Sequence, residues 1–136
     1  MGAWGTGVFD NDTACDWAYS LEESNDLSVV DAAFEKVLAG ESEYLEASDA
    51  EEGLAAVEVV ARLQGNFGEK NSYTQAVDTW VSKNKIKVSP ELAKRALATI
   101  ERILSGSSEI VDLWAETDEF DVWKNSLENL KSRVRL

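Results

Sequence analysis

Apolar residues recur along this chain at helical rather than alternating spacing. Ala14, Trp17, Ala18 and Leu21 stand at i, i+3, i+4 and i+7, which puts them on one narrow face of a helix. Leu54, Val57, Ala61 and, one turn off, Val60 repeat the pattern. Leu92, Ala93, Ala96, Leu97, Ile100, Ile103 and Leu104 form the most complete stripe, with Glu91, Lys94, Arg95, Glu101 and Arg102 on the opposite side. Phe120, Trp123, Leu127, Leu130 and Val134 form a last one. Ile86-Lys87-Val88 alternates but is too short for a sheet, and no Asn-Gly or Asp-Gly joins alternating segments into a hairpin.

Punctuation residues divide these stripes into elements. Ser28-Val29-Val30-Asp31, Ser48-Asp49-Ala50-Glu51 and Ser72-Tyr73-Thr74-Gln75 each place a hydroxyl three residues before a side chain able to reach back to it, as in a capping box. Ser89-Pro90 reads as an N-cap followed by proline at the first helical position. Gly40, Gly65 and Gly106 stand where left-handed residues end helices. The pattern predicts helices over 12–23, 28–39, 49–64, 73–83, 90–105, 108–115 and 118–134. Short connections between them imply an all-α fold, a single domain over 1–136 packed as a compact antiparallel bundle of about six or seven helices. The Gly/Trp-rich N-terminal segment is expected to pack on that bundle.

Composition narrows the chemistry. The 136 residues are 44% hydrophobic and include five Trp, four Phe and three Tyr, enough for a core and unlike an acidic disordered tail. There is no His and a single Cys, so imidazole-dependent triads, His-ligated metals, Cys clusters and an intrachain disulfide are excluded. Cys15, beside Asp16 and without a neighbouring base, reads as a small core residue rather than a nucleophile. No G-K-[ST] phosphate loop occurs, and Gly2-x-x-Gly5-x-Gly7 is not a dinucleotide fingerprint. No stretch approaches a membrane span, and Met1 to Gly5 lack a basic leader, so the expected location is cytoplasmic, away from membranes.

The net charge of -13 is unevenly spread. Residues 1–70 carry 16 acids and 3 bases, whereas residues 71–136 carry 10 of each. The excess is densest at Glu41, Glu43, Glu46, Asp49, Glu51, Glu52 and Glu58, with Tyr44 set among the first of them. Carboxylates this close repel one another, and they suit either a solvated face kept for solubility or a surface that steers a basic protein partner. The same surplus argues against nucleic acid as a ligand.

The least ordinary stretch is Gly2-Ala3-Trp4-Gly5-Thr6-Gly7-Val8-Phe9-Asp10-Asn11-Asp12-Thr13-Ala14-Cys15-Asp16-Trp17. Glycines permit positive φ and close backbone approach, Trp4 and Phe9 are expected to plug the segment onto the helices, and Asp10 or Asp12 to cap the first helix. This segment resembles the start of a bacterial family called domain of unknown function 4259, whose members begin M-G-A-W-G-x-G-x-F-D-N-D and continue with an Asp-Trp pair. The resemblance implies a small, mostly helical bacterial protein and carries over no catalytic residue. Trp4, Gly5, Gly7, Phe9, Asp10, Asn11, Asp12, Asp16 and Trp17 are therefore structural or ligand-binding candidates. A calcium loop starting at Asp10 fails, because Cys15 replaces the turn glycine and Leu21 the closing Glu.

The function expected from these observations is a non-enzymatic acidic protein-binding module, of the kind that inhibits a toxin as an immunity protein or antitoxin. Glu41, Glu43, Tyr44, Glu46, Asp49, Glu51, Glu52 and Glu58 are its candidate partner-binding residues. No cofactor and no metal are expected. One alternative is a Mg²⁺-dependent phosphoester hydrolase drawing carboxylates from this run and from Glu109, Asp112, Glu116, Asp118 and Glu119. Another is a self-associating module in which Lys83, Lys85 and Lys87 meet a neighbour's acids.

Overall fold

The structure, a computed structural model, describes residues 2–40 and 43–136. Among the described residues seven helices follow in order: α1 (Asp12–Glu22), α2 (Ser28–Leu38), α3 (Ala47–Leu63), α4 (Gln75–Lys83), α5 (Pro90–Leu104), α6 (Glu109–Ala115) and α7 (Phe120–Arg133). Among the described residues the only extended pairings are single bridges, Ala3 with Asn11 and Leu45 with Ser108. The four stripes read from the sequence all face the core: Ala14, Trp17, Ala18 and Leu21 of α1, for example, are buried.

Helix α3 is the axis of the bundle and packs against each of the other six. Its spacing suggested one apolar face, but every residue from Gly53 to Arg62 is buried. The reason is side-chain size. Ala50, Gly53, Ala55, Ala56 and Ala61 let neighbouring helices approach from several sides, so the helix is enclosed rather than half-exposed. A Cβ on Gly53 would lie 2.7 Å from Val37 Cγ2 of α2 and 3.2 Å from Thr99 Cγ2 of α5.

Several helix ends differ from their sequence signals. Ser89 does cap α5, its Oγ accepting from Leu92 N at 3.1 Å. Ser28 instead lies inside α2, and α3 begins two residues early, where Glu109 Oε1 accepts from Ala47 N at 2.7 Å. A carboxylate from a distant helix thus does the work assigned to Ser48. At α4 the Asn71 side chain accepts from Tyr73 N and Thr74 N, displacing Ser72 from that role. Gly65 ends α3 at φ +87, with Gly65 N donating to Arg62 O and Asn66 N to Ala61 O, the paired bonds of a Schellman motif. Gly40 and Gly106 are not left-handed, and beyond α5 that conformation falls on Ser107 at φ 62.

Four of the five tryptophans are core residues. Trp114 stacks on Trp123 at 5.9 Å between ring centroids, and Phe120 lies against Trp123 at 6.2 Å, which joins α6 to α7. Trp4 is the exception, at 50% exposure, tilted against Tyr73 at 5.2 Å. Of the two expected plugs, Phe9 alone is buried in the bundle, with Ala3 and Val8 packed partly against the same core.

Candidate functional site: an acidic face beside a closed N-terminal loop

The acidic run separates into groups once folded. Glu41 lies outside the described residues. Glu43, Tyr44 and Glu46 are exposed just before α3, and Asp49 is half-exposed in its first turn. Glu52 pairs with Lys36 at 3.0 Å. Glu51 turns beneath the N-terminal loop, where it shares a small crevice with Gly5, Gly7 and Trp114. Burial pushes its carboxyl above the usual range, the Glu109 charge adds to this, and the Thr13 hydroxyl opposes it.

Glu58 leaves the candidate face entirely. It is 4% exposed in the middle of α3, where Oε2 accepts from Arg62 Nε at 3.0 Å and Oε1 from Arg133 Nη2 at 2.5 Å. Three turns of helix separate it from Glu46, and the enclosure of α3 turns it inward, where only a cation partner makes a buried carboxylate tolerable.

The segment before α3 is held by contacts that its sequence does not announce. Leu45 N donates to Ser107 O at 2.8 Å and Glu109 N to Leu45 O at 2.9 Å. The buried Arg102 guanidinium reaches across from α5, Nη2 donating to Glu43 O at 2.6 Å. This brings α6 acids to the run: Tyr44 Oη donates to Asp112 Oδ2 at 2.8 Å, and Glu109 caps α3. In the sequence Asp112 and Glu109 stand out only as possible metal ligands, because nothing in local periodicity pairs residue 44 with residue 112. Among the described residues, no group of three or more Asp, Glu, Cys or His is arranged to hold a metal ion.

Tyr44 has a measurable signature. Its hydroxyl bond to Asp112, with the carboxylate field, raises its pKa from the ordinary 10.0 to about 12. The folded state therefore holds a proton that the unfolded chain releases between those values. The contact favours folding below pH 10.0, and that contribution disappears as pH rises through about 12. Alkaline titration of tyrosinate absorbance should show one of the three tyrosines ionising late, and Asp112→Ala should return it toward the ordinary range. Three coincident titrations in the parent protein would contradict the contact.

The N-terminal signature forms a closed loop. Trp4 N donates to Asp10 O at 2.8 Å and Asp10 N to Gly7 O at 3.1 Å, while Gly7 N donates to Asp10 Oδ2 at 3.0 Å. Side chains at 5 and 7 would strike this carboxylate, with Cβ atoms 2.4 and 2.8 Å from Asp10 Oδ2. The glycines are thus required for close approach, and neither has a positive φ. The cap of α1 is Asn11 rather than Asp10 or Asp12: Oδ1 accepts from Ala14 N at 2.8 Å, and Nδ2 donates to Val8 O at 3.2 Å. Asp12 and Asp16 are exposed on α1, and Trp17 is core. Cys15 donates to Phe9 O at 3.3 Å, and burial, followed by the charges of Asp12, Asp16 and Asp10, pushes its thiol up, away from nucleophilic use.

Behind the loop lies a polar cavity of about 290 Å³ lined by Gly7, Asp10, Glu58, Arg62 and Arg133. It brings the signature together with the buried ion network. A family model described as a domain of unknown function (DUF4259) matches residues 2–126. Neither the curated proteins nor the solved structures offer a match.

Proposed function

The chain belongs to the DUF4259 family, and from that footing we propose that it is a non-enzymatic binding module whose acidic face docks a basic protein, as an immunity protein or antitoxin docks its toxin. The observation that carries this reading is Tyr44. The residue is 54% exposed, yet its hydroxyl is anchored to Asp112, and the carboxylates of Glu43, Glu46 and Asp49 flank it in the chain. An aromatic side chain fixed in place loses little freedom on binding and makes an effective anchor, while surrounding charge steers the approach of a cationic partner. A face kept only for solubility has no use for an immobilised ring.

The expected partner surface is rich in Lys and Arg with a pocket for a phenol. The product of the neighbouring gene is the first candidate, since inhibitors of this type are encoded beside their targets. Surface-immobilised protein should capture it with an association rate that falls as salt rises. Replacing Glu46 and Asp49 by Lys should slow association by about ten-fold, and Tyr44→Ala should act mainly on dissociation. Capture that ignores both salt and these substitutions would reject the face. No helix of the described residues is long and apolar enough to cross a membrane.

A further inference from the structure

The Arg62 guanidinium, 2% exposed, stands between two cavities. One is the polar cavity behind the N-terminal loop. The other, about 450 Å³, opens between the connection after α3, helix α4 and the 85–87 segment. Leu63, Phe67, Val81 and Ile86 make its apolar wall. Lys70, Lys85 and Lys87 stand around it, all exposed, and Lys70 Nζ lies 4.9 Å from the Phe67 ring centroid.

Three of the chain's eight lysines thus gather at one cavity. Lys36, Arg62, Arg95, Lys131 and Arg133 are all in ion pairs, and Arg102 is spent on backbone carbonyls and a serine hydroxyl. Lys70, Lys85 and Lys87 make no ion pair among the described residues, a property they share with Lys83, Lys94, Lys124 and Arg135, but of these seven only they line the cavity. The one carboxylate in the cavity wall, Asp78, is already engaged, by Arg62 Nη1 on one oxygen and by the Thr74 hydroxyl at 2.8 Å on the other. Arg62 uses three of its five N–H groups, on Glu58, Asp78 and Glu69 O, which leaves two.

The wall is also fixed before any ligand arrives. The Schellman turn at Gly65 sets the exit from α3, Asn66 exchanges hydrogen bonds with Arg133, and Arg62 Nη2 holds Glu69 O at 2.7 Å. The volume falls within the range of small-molecule sites.

We propose that this cavity binds a small organic anion, its carboxylate or phosphate held by the lysines and its flat apolar body laid against Phe67, Val81 and Ile86. Each property excludes a class of ligand. Cations without carboxylate partners are poor company for a neutral or cationic ligand. An inorganic ion leaves the apolar wall wet. A long polyanion such as nucleic acid is repelled by the net charge of -13 outside the pocket, whereas a small anion sits within about 8 Å of the lysines, inside the screening length. The site does not involve Tyr44 or the acidic face, so it stands or falls independently of the docking reading.

Benzoate and phenyl phosphate are suitable probes, with benzyl alcohol and inorganic phosphate as controls, followed by amide NMR shifts of the full chain. Saturable shifts are expected at Phe67, Lys70, Val81 and Ile86 with at least one aryl anion, and which anion binds tighter identifies the headgroup. Both controls should bind about ten-fold more weakly or worse, the equivalent of one charged hydrogen bond. Lys85→Gln with Lys87→Gln, two exposed positions that leave the core intact, should lower aryl-anion affinity by a similar factor. Equal binding of benzyl alcohol, equal binding of inorganic phosphate, shifts centred elsewhere, no saturable shift with either aryl anion, or an unaltered affinity in the double variant would each overturn the proposal.

Discussion

Glu58→Ala is expected to destabilise the protein by about 3–5 kcal/mol, a large part of the total stability of a domain this size. The substitution removes the carboxylate shared by Arg62 and Arg133. Arg62 is 2% exposed and keeps Asp78, but Arg133, from α7, loses its acidic partner and retains only Asn129 Oδ1 and Asn66 O. The cost is that of leaving a mostly buried guanidinium, its side chain 15% exposed, without its carboxylate, not the net value of the pair. Urea unfolding should show it as a lower midpoint with an unchanged slope. Glu58→Gln, which keeps an acceptor and the packing volume, should be milder, and Glu58→Ala with Arg133→Met should lose less than the two single changes added together. A loss below about 1 kcal/mol for Glu58→Ala would mean that water reaches the network and screens it.

Gly53→Val should destabilise by about 3 kcal/mol, and Gly53→Ala by about 1 kcal/mol net. In an isolated helix the sign reverses, since Ala in place of a mid-helix Gly gains about 1 kcal/mol. Here the new Cβ meets Val37 Cγ2 at 2.7 Å and Thr99 Cγ2 at 3.2 Å. Val37 is 1% exposed and Thr99 is fully buried with Oγ1 bonded to Arg95 O at 2.8 Å, so neither methyl can simply turn away. Thermal melts of both variants test this. A higher melting temperature for Gly53→Ala would show that α2 and α5 move apart at little cost.

Gly53 also shows where sequence reading reaches its limit. Periodicity located four of the seven helices, because a bundle helix must bury a stripe and the stripe is written at 3.6-residue spacing, and punctuation residues marked out the other three. It could not show that α3 is enclosed, since alanine and glycine are compatible with an exposed face or with close approach, and the choice belongs to the neighbouring helices. Helix ends divide in the same way. Ser89 and Gly65 were legible because each acts within its own segment, whereas Glu109, which caps α3 from 62 residues away, was not.

The candidate site divides likewise. Tyr44 among carboxylates was visible in the sequence; its anchor Asp112 was not, nor was the departure of Glu58 into a buried pair with Arg133, 75 residues on. The order in which charges occur along a chain says how many must be accommodated but not on which side of a helix each ends. Of the two uses the sequence offers for the N-terminal glycines, positive φ and close approach, the structure takes the second, and only the closed loop reveals that what they make room for is the Asp10 carboxylate.

By itself, then, the amino-acid sequence determined an all-α bundle, its elements, its core stripes, the absence of imidazole and disulfide chemistry, and an acidic first half. All of these follow from local spacing and from residue type, which need no knowledge of what packs where. The tertiary structure decided which acids face solvent, which are buried with arginine, and where unpaired lysines gather around an apolar cavity. Those outcomes depend on distances between residues far apart in the chain, and such distances are set by packing rather than by pattern.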